Sequence, residues 1–152
     1  RGRRHRLKRG EGVFTLIDES YNANPASMKA ALQLLDAAPV TGEGRRIAVL
    51  GDMLELGEHS ARLHAALADI VAGTKTDMLL LAGTDMKALA DRPPPNLRVE
   101  YRASAEELEP LLLEMVQPGD AVVIKSSKAT GFSRLVEVLL KHFPAVDEPA
   151  RS

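Results

Sequence analysis

The segment 18–25, Asp-Glu-Ser-Tyr-Asn-Ala-Asn-Pro, carries two carboxylates, a hydroxyl, a phenol and two amides within eight residues. Such a set offers both hydrogen-bond donors and acceptors to a small polar ligand, and a simple connection between two elements needs far fewer polar groups. The alternative is a turn rich in Asn and Asp that leads into a helix started by Pro25. Residue chemistry by itself leaves both interpretations open.

Two further segments have the residue types of a ligand-binding turn. Segment 51–58 has the sequence Gly-Asp-Met-Leu-Glu-Leu-Gly-Glu, and its glycines would let the backbone approach a ligand closely. Segment 125–128, Lys-Ser-Ser-Lys, offers lysine and two hydroxyls to a carboxylate or phosphate. The alternatives are ordinary ones, because Gly-Asp after a strand is common and a solvated hydroxyl-bearing loop can cap a helix.

Alternating hydrophobic patterns predict the elements that position these segments. Short runs rich in Val, Ile and Leu alternate with longer stretches of helical periodicity, which is typical of a parallel α/β sheet. Strands are predicted at 13–18, 46–50, 78–81, 97–101 and 121–125, with a short edge strand at 6–8. Helices are predicted at about 26–37, 60–72, 86–90, 105–115 and 132–142. The predicted fold is a Rossmann-like, mostly parallel sheet of about six strands with helices on both faces.

Capping residues and helical spacing predict where the helices begin and which side they bury. Asn24 and Ser104 are placed to act as N-caps, and Glu107 follows Ser104 at capping-box spacing. The predicted inward residues are Met28, Ala31, Leu32 and Leu35 in the first helix and Leu63, Leu67, Ile70 and Val71 in the second. Because the carboxyl ends of parallel strands meet at one edge of a sheet, the three polar segments should lie along a single rim.

Composition and charge exclude several classes of protein. The 20 basic and 21 acidic residues leave a net charge of −1, which gives no field to attract nucleic acid or an anionic membrane. The chain has no Cys, which excludes disulfides and thiolate metal sites. No apolar run approaches the ~20 residues of a membrane span. We therefore expect a soluble, cytoplasmic protein that binds neither nucleic acid nor membrane.

The polar segments carry a resemblance to a known family. Segments 18–25 and 49–58 resemble, in the same order and at similar separation, motifs of the Mur ligases that add D-alanyl-D-alanine. Lys125 and Ser127 match a third motif of that family, in which glycine usually stands at the position of Ser126. Arg3 matches the arginine of a tripeptide that enters the C-terminal domain of these enzymes. The resemblance extends from residue 2 to about 143, so we expect residues 1–146 to form that C-terminal domain and 147–152 a frayed tail.

This resemblance implies a part in a larger enzyme. Mur ligases have separate domains for the UDP-sugar substrate, for ATP, and for the incoming amino acid or dipeptide, the last being Rossmann-like. At 152 residues, with no P-loop pattern and with Arg1 in place of an initiator methionine, the chain is expected to lack the first two domains. ATP and Mg²⁺ would then be bound mainly by the absent central domain.

The reaction implied by the resemblance is ATP-dependent formation of a peptide bond. ATP phosphorylates the terminal carboxylate of UDP-N-acetylmuramoyl-tripeptide, and the amine of D-alanyl-D-alanine then attacks the acyl phosphate. The chain, expected to be monomeric, would hold the dipeptide with its amine aimed at the acyl carbon, a contribution of proximity and orientation. By itself it would be inactive, and no catalytic residue is assigned to it.

The resemblance also assigns roles to individual residues. The predicted dipeptide-binding residues are Asn22, Asn24, Asp52, Lys125 and Ser127. The predicted contacts to ATP are Arg3, Glu19 and Tyr21. Glu19 replaces a family aspartate with a side chain longer by one methylene group, and Tyr21 equally suits packing at the helix entry. No metal site is predicted, since His5, His59, His64 and His142 lack ligand spacing and are expected at the surface or in packing.

Other functions stay open at this point. A stand-alone Rossmann-like module for a nucleotide or another ligand would usually carry a G-x-G-x-x-G fingerprint, which is missing after the first strand. Another Mur ligase, or a folylpolyglutamate synthetase relative, shares the architecture but not the Tyr-Asn-Ala-Asn-Pro string. A nucleic-acid binder using the basic residues of segment 1–9 is disfavoured by the near-zero net charge and by an aromatic content of 3%.

Overall fold

Six strands form one sheet in the computed structural model, which describes residues 3–146. The strands are β1 (Arg3–Arg9), β2 (Gly12–Glu19), β3 (Arg46–Gly51), β4 (Met78–Ala82), β5 (Arg98–Arg102) and β6 (Ala121–Lys125). Their order is β1-β2-β6-β3-β4-β5, and β1 pairs antiparallel with β2 while the other pairs are parallel. The predicted fold class is confirmed. Residues 1–2 and the predicted tail 147–152 lie outside the described residues.

Burial along the strands follows their place in the sheet. All side chains of β4 and β6 are buried, since helices cover both faces of these inner strands. The edge strand β5 is mostly half-buried. The edge strand β1 is longer than the predicted 6–8, because it pairs with β2 along its whole length. Residues 144–146 add main-chain hydrogen bonds to β1, which partly closes this edge of the sheet.

Five helices connect the strands. They are α1 (Pro25–Ala37), α2 (Ser60–Ala72), α3 (Lys87–Ala90), α4 (Ala105–Met115) and α5 (Ser133–His142). Short 3₁₀ turns, Gly57–His59 and Lys128–Thr130, precede α2 and α5. None of the helices in the described part of the chain combines the length and the apolar composition needed to cross a membrane.

The apolar core has two layers, one on each face of the sheet. Side chains of α4 and α5 pack with Leu7 and Phe14 on one face, whereas α1, α2 and α3 cover the other. The predicted inward face of α1 is confirmed, as Met28, Ala31, Leu32 and Leu35 are buried. The predicted face of α2 needs a correction.

The buried face of α2 contains a polar residue that was not predicted there. Leu67 and Val71 are buried as expected, but the third fully buried residue is His64. Leu63 and Ile70 are only half-buried at the margin of the core. Leu63 and Ile70 still pack against the core as predicted, and the prediction lacked His64 because it gave the core to apolar residues alone. His64 has hydrogen-bond partners that allow its burial.

Candidate functional site

The three polar segments lie side by side at one edge of the sheet. Strands β2, β6 and β3 are parallel neighbours, so the turns that follow them leave the sheet in the same direction. Hydrogen bonds join two of these turns directly. The main-chain N–H of Ser127 donates to the Asp52 carbonyl oxygen at 3.1 Å, and that of Leu54 donates to the Ser127 hydroxyl at 2.9 Å. The prediction of a single rim is confirmed.

A depression of about 260 Å³, called here the rim pocket, opens between these turns. It is lined by Tyr21, Asn22, Ala23, Leu54, Glu55, Ser127, Lys128 and Ala129. A phenol, an amide, a carboxylate, a hydroxyl and an ammonium group therefore surround one small volume. The N-terminus of α1 begins beside it and carries no acidic residue in its first turn, so the helix adds partial positive charge to this side.

Segment 18–25 serves both as a helix start and as a pocket wall. The Asn24 side-chain oxygen accepts a hydrogen bond from the main-chain N–H of Ser27 at 2.9 Å, and the Ser27 hydroxyl accepts one from the Asn24 N–H at 2.9 Å. This reciprocal capping box confirms Asn24 as the N-cap of α1. Tyr21 and Asn22 line the rim pocket instead. The Asn24 oxygen is engaged in the cap, and its contact with a dipeptide stays a prediction.

Lys125 is buried beside Tyr21, which lines the rim pocket, but is not itself among the lining residues. Its side chain is 3% exposed, and its Nζ lies 3.7 Å from Glu19 Oε1 and 5.9 Å from the centre of the Tyr21 ring. Burial lowers the pKa of the Lys125 ammonium, and the Glu19 carboxylate opposes this effect. Glu19 is therefore already paired, so a contact with the ATP ribose would have to compete with Lys125.

The Asp52 carboxylate points to the neighbouring turn after β4. Its oxygens accept hydrogen bonds from the main-chain N–H groups of Met86 at 2.8 Å and Asp85 at 3.2 Å. The close approach requires Gly83, where an added Cβ would collide with the Asp52 carboxylate and where φ is +120°. Asp52 thus connects the turns after β3 and β4. Its predicted contact with a dipeptide stays a prediction.

Ser126, at the position where the resemblance predicts glycine, points into the protein interior. It is fully buried, and its hydroxyl is hydrogen-bonded to the Thr130 hydroxyl and lies 3.4 Å from the Asp52 carbonyl oxygen. Gly51 leaves room for it, because a Cβ at Gly51 would collide with Ser126 Oγ and the Phe132 ring. The extra side chain therefore occupies the interior and does not enter the rim pocket.

Arg3 lies at the rim end of β1. Its Cα is paired with Asp18 near the end of β2, and the residue is exposed. This position puts it on the outer side of the first polar turn, and two strands, β2 and β6, lie between β1 and β3. The contact between Arg3 and ATP stays a prediction.

Asp52, His64 and Asp85 form a cluster of possible metal ligands within residues 3–146. Their ligand atoms lie within 4.8 Å of one another. However, His64 Nε2 accepts the Met53 main-chain N–H at 3.0 Å, and Nδ1 lies 2.7 Å from the Ser60 carbonyl oxygen, which requires a proton on Nδ1. Both ring nitrogens of His64 are therefore engaged by the main chain, and neither has a free lone pair for a metal.

Sequence reasoning missed three residues of this region. Glu55 and Lys128 stood inside quoted motifs but received no role, and the left-handed backbone of Glu55, with φ of 65°, gave no signal in the sequence. His64 could have been found by spacing, because residues 64, 67 and 71 lie on one helical face. The histidine was expected only at the surface or in packing.

The fold and the rim together define a class of protein. The chain is an α/β domain with a mostly parallel, Rossmann-like sheet that presents polar turns and a helix N-terminus at the carboxyl ends of its strands, the edge at which ligands bind in open sheets of this kind.

Comparisons with known proteins then identify the family. The model described as Mur ligase, glutamate ligase domain, matches residues 2–128. A UDP-N-acetylmuramoyl-tripeptide–D-alanyl-D-alanine ligase from Synechocystis sp. is 34% identical over 95% of this chain and 31% of its own length. The enzyme of the same name from Bacillus subtilis is 29% identical over 92% of this chain and 31% of its length.

A solved structure has the same fold. The crystal structure of MurF from Acinetobacter baumannii matches 90% of this chain and 29% of that one, with a TM-score of 0.72 and 28% identity. The chain belongs to the Mur ligase family and contains its glutamate ligase domain. It spans about a third of the length of the curated relatives that it matches.

Proposed function

We propose that this chain is the C-terminal, dipeptide-binding domain of an ATP-dependent ligase that adds D-alanyl-D-alanine to UDP-N-acetylmuramoyl-tripeptide. The observation that carries the proposal is the rim pocket, which is lined by residues of all three segments, 18–25, 51–58 and 125–128. The relatives named for this reaction match over most of the chain. The expected domain 1–146, the monomeric state and the cytoplasmic location are further parts of the proposal.

The charges of the rim pocket suit a zwitterionic dipeptide. Glu55 offers an acceptor for the ammonium group, whereas Lys128 and the N-terminus of α1 favour the carboxylate. The Ser127 hydroxyl already accepts the Leu54 N–H, so its own proton is available to a carboxylate oxygen. Asn22 can donate or accept. These four side chains are our revised dipeptide-binding set, and Lys125 lies next to the Tyr21 ring of the same pocket.

The domain would act by orientation. A bound dipeptide whose amine faces away from the sheet edge is held for attack on an acyl phosphate, which raises the effective concentration of the amine. The sequence has no Walker pattern, the usual phosphate-binding loop of ATP-dependent enzymes of this kind. We propose that ATP and Mg²⁺ are held mainly by residues outside this chain, and the contacts of Arg3, Glu19 and Tyr21 with ATP remain part of this proposal.

An amide-shift titration of the 152-residue chain with D-alanyl-D-alanine tests this function. Shifts should cluster in residues 20–24, 52–55 and 126–129, and L-alanyl-L-alanine should produce much smaller ones. Glu55→Gln and Lys128→Gln should each weaken binding, whereas Lys141→Gln, on the exposed side of α5, should not. Equal responses to both stereoisomers, or shifts outside the rim, would contradict the proposal.

A further inference from the structure

His64 is a fully buried polar residue in α2, outside the rim pocket. Both of its ring nitrogens are used by the main chain. Nε2 accepts the N–H of Met53 at 3.0 Å, and Nδ1 lies 2.7 Å from the carbonyl oxygen of Ser60. A main-chain N–H can only donate and a carbonyl can only accept, so the ring is the Nδ1–H tautomer.

Two hydrogen bonds from adjacent main-chain N–H groups connect this ring to the rim pocket. His64 holds the N–H of Met53, and the N–H of the next residue, Leu54, donates to the Ser127 hydroxyl at 2.9 Å. In return, the N–H of Ser127 donates to the carbonyl oxygen of Asp52 at 3.1 Å. Residues 52–54 therefore lie between His64 on one side and Ser127 on the other.

We infer that His64 is a positioning residue, which fixes the turn 52–54 and through it sets the orientation of the Ser127 hydroxyl in the rim pocket. An aliphatic side chain of similar size could fill the space, but it would leave the Met53 N–H buried without an acceptor, which is costly. The turn would then move to satisfy this group, and Leu54 would move with it. The inference rests on the proposed function only where it names the dipeptide as the ligand whose affinity reports the orientation of Ser127.

Two substitutions distinguish the role of Nε2 from the role of Nδ1. Glutamine places its side-chain oxygen at about the reach of Nε2, so His64→Gln keeps an acceptor for Met53. Asparagine reaches only as far as Nδ1, so His64→Asn keeps a donor for Ser60 and loses the acceptor. Val71→Ala is the matched control, because it also removes buried volume from α2 but takes no part in these hydrogen bonds.

Hydrogen exchange of the Met53 and Leu54 amides is the first measurement. His64→Asn should speed exchange at both amides by about tenfold or more, whereas His64→Gln should keep it within about threefold of the unsubstituted chain. Val71→Ala should leave the exchange rates of the Met53 and Leu54 amides unchanged relative to those of the amides in α2. Equal exchange in the Asn and Gln variants would overturn the inference, since a purely structural histidine predicts no rescue by Gln.

Binding of D-alanyl-D-alanine is the second measurement. We expect an affinity loss of about tenfold in His64→Asn, recovery in His64→Gln and no loss in Val71→Ala. If the unsubstituted chain does not bind the dipeptide, the proposed function fails while the exchange data still decide the role of His64. If exchange responds as expected and affinity does not, the link from the turn to Ser127 is wrong.

Discussion

The buried ion pair between Lys125 and Glu19 predicts strong coupling between substitutions at these two residues. Nζ and Oε1 are 3.7 Å apart, and the side chains are 3% and 12% exposed. At an effective dielectric constant of about 20, the attraction is about 4 kcal/mol. Glu19→Gln leaves the ammonium buried without a counter-charge, and Lys125→Met does the same to the carboxylate. Each should cost about 3 kcal/mol of unfolding free energy, and the double variant about 2 kcal/mol less than their sum.

The pKa of Lys125 adds a pH dependence whose sign can be worked out. Burial lowers the pKa of Lys125 in the folded protein from the ordinary value of 10.5. Between the lowered value and 10.5 the unfolded chain binds more protons than the folded protein, so the free energy of unfolding rises with pH through this window. Below the window, the full cost of burying the charged Lys125 side chain destabilises the folded state. Glu19→Gln removes the charge that raises the pKa, so the window should extend to lower pH.

Urea unfolding followed by far-UV circular dichroism measures both effects, since the chain has no Trp for fluorescence. The unsubstituted chain, Glu19→Gln, Lys125→Met and the double variant form a double-mutant cycle and should be compared at neutral and at mildly alkaline pH. Lys141→Met, at an exposed position, is the control for the loss of a lysine. Single-variant effects that add without coupling would refute the buried pair. A stability of Glu19→Gln that does not rise with pH relative to Lys125→Met would refute the argument from burial.

Two further predictions concern the rim turns. Ser126→Gly should lower the free energy of unfolding by about 1–2 kcal/mol, because it removes a buried hydroxyl that is bonded to Thr130 and to the Asp52 carbonyl. Urea unfolding measures this loss. The titration should show an unchanged dipeptide affinity, and a large affinity loss would show that Ser126 reaches the pocket. Asn24→Ala should cost about 1 kcal/mol and speed amide exchange in the first turn of α1, whereas Asn24→Ser should recover most of it; equal losses in both variants would disprove the cap.

The elements were predictable because their signals are local. Helices α2 and α4 have the predicted bounds, and the caps at Asn24 and Ser104 were visible as residue types before a periodic stretch. The rim was also predictable, since parallel strands that each carry a polar segment at the carboxyl end must present these segments at one edge. The full length of β1 was not, because its outer residues are polar and are held in the strand by pairing with β2.

The site was predictable as a region and only partly as a set of side chains. Asn22 and Ser127 line the rim pocket, but Lys125 is buried against Glu19 and Asp52 faces the turn after β4. Glu55 and Lys128 line it without having been assigned a role. Neighbours in a polar motif point in different directions, and motif membership does not say which of them face the ligand.

The sequence by itself determined the fold class, the order of the polar turns and the family resemblance, since hydrophobic period, capping residues and motif strings are properties of nearby residues. Only the tertiary structure decided which groups are already satisfied. Packing brings Lys125 into an ion pair with Glu19, and it brings Ser126 and His64 into hydrogen bonds with Thr130 and the Met53 N–H. A buried polar group must pair with whatever the fold brings within reach, and direction and distance are fixed only when the strands and helices have packed.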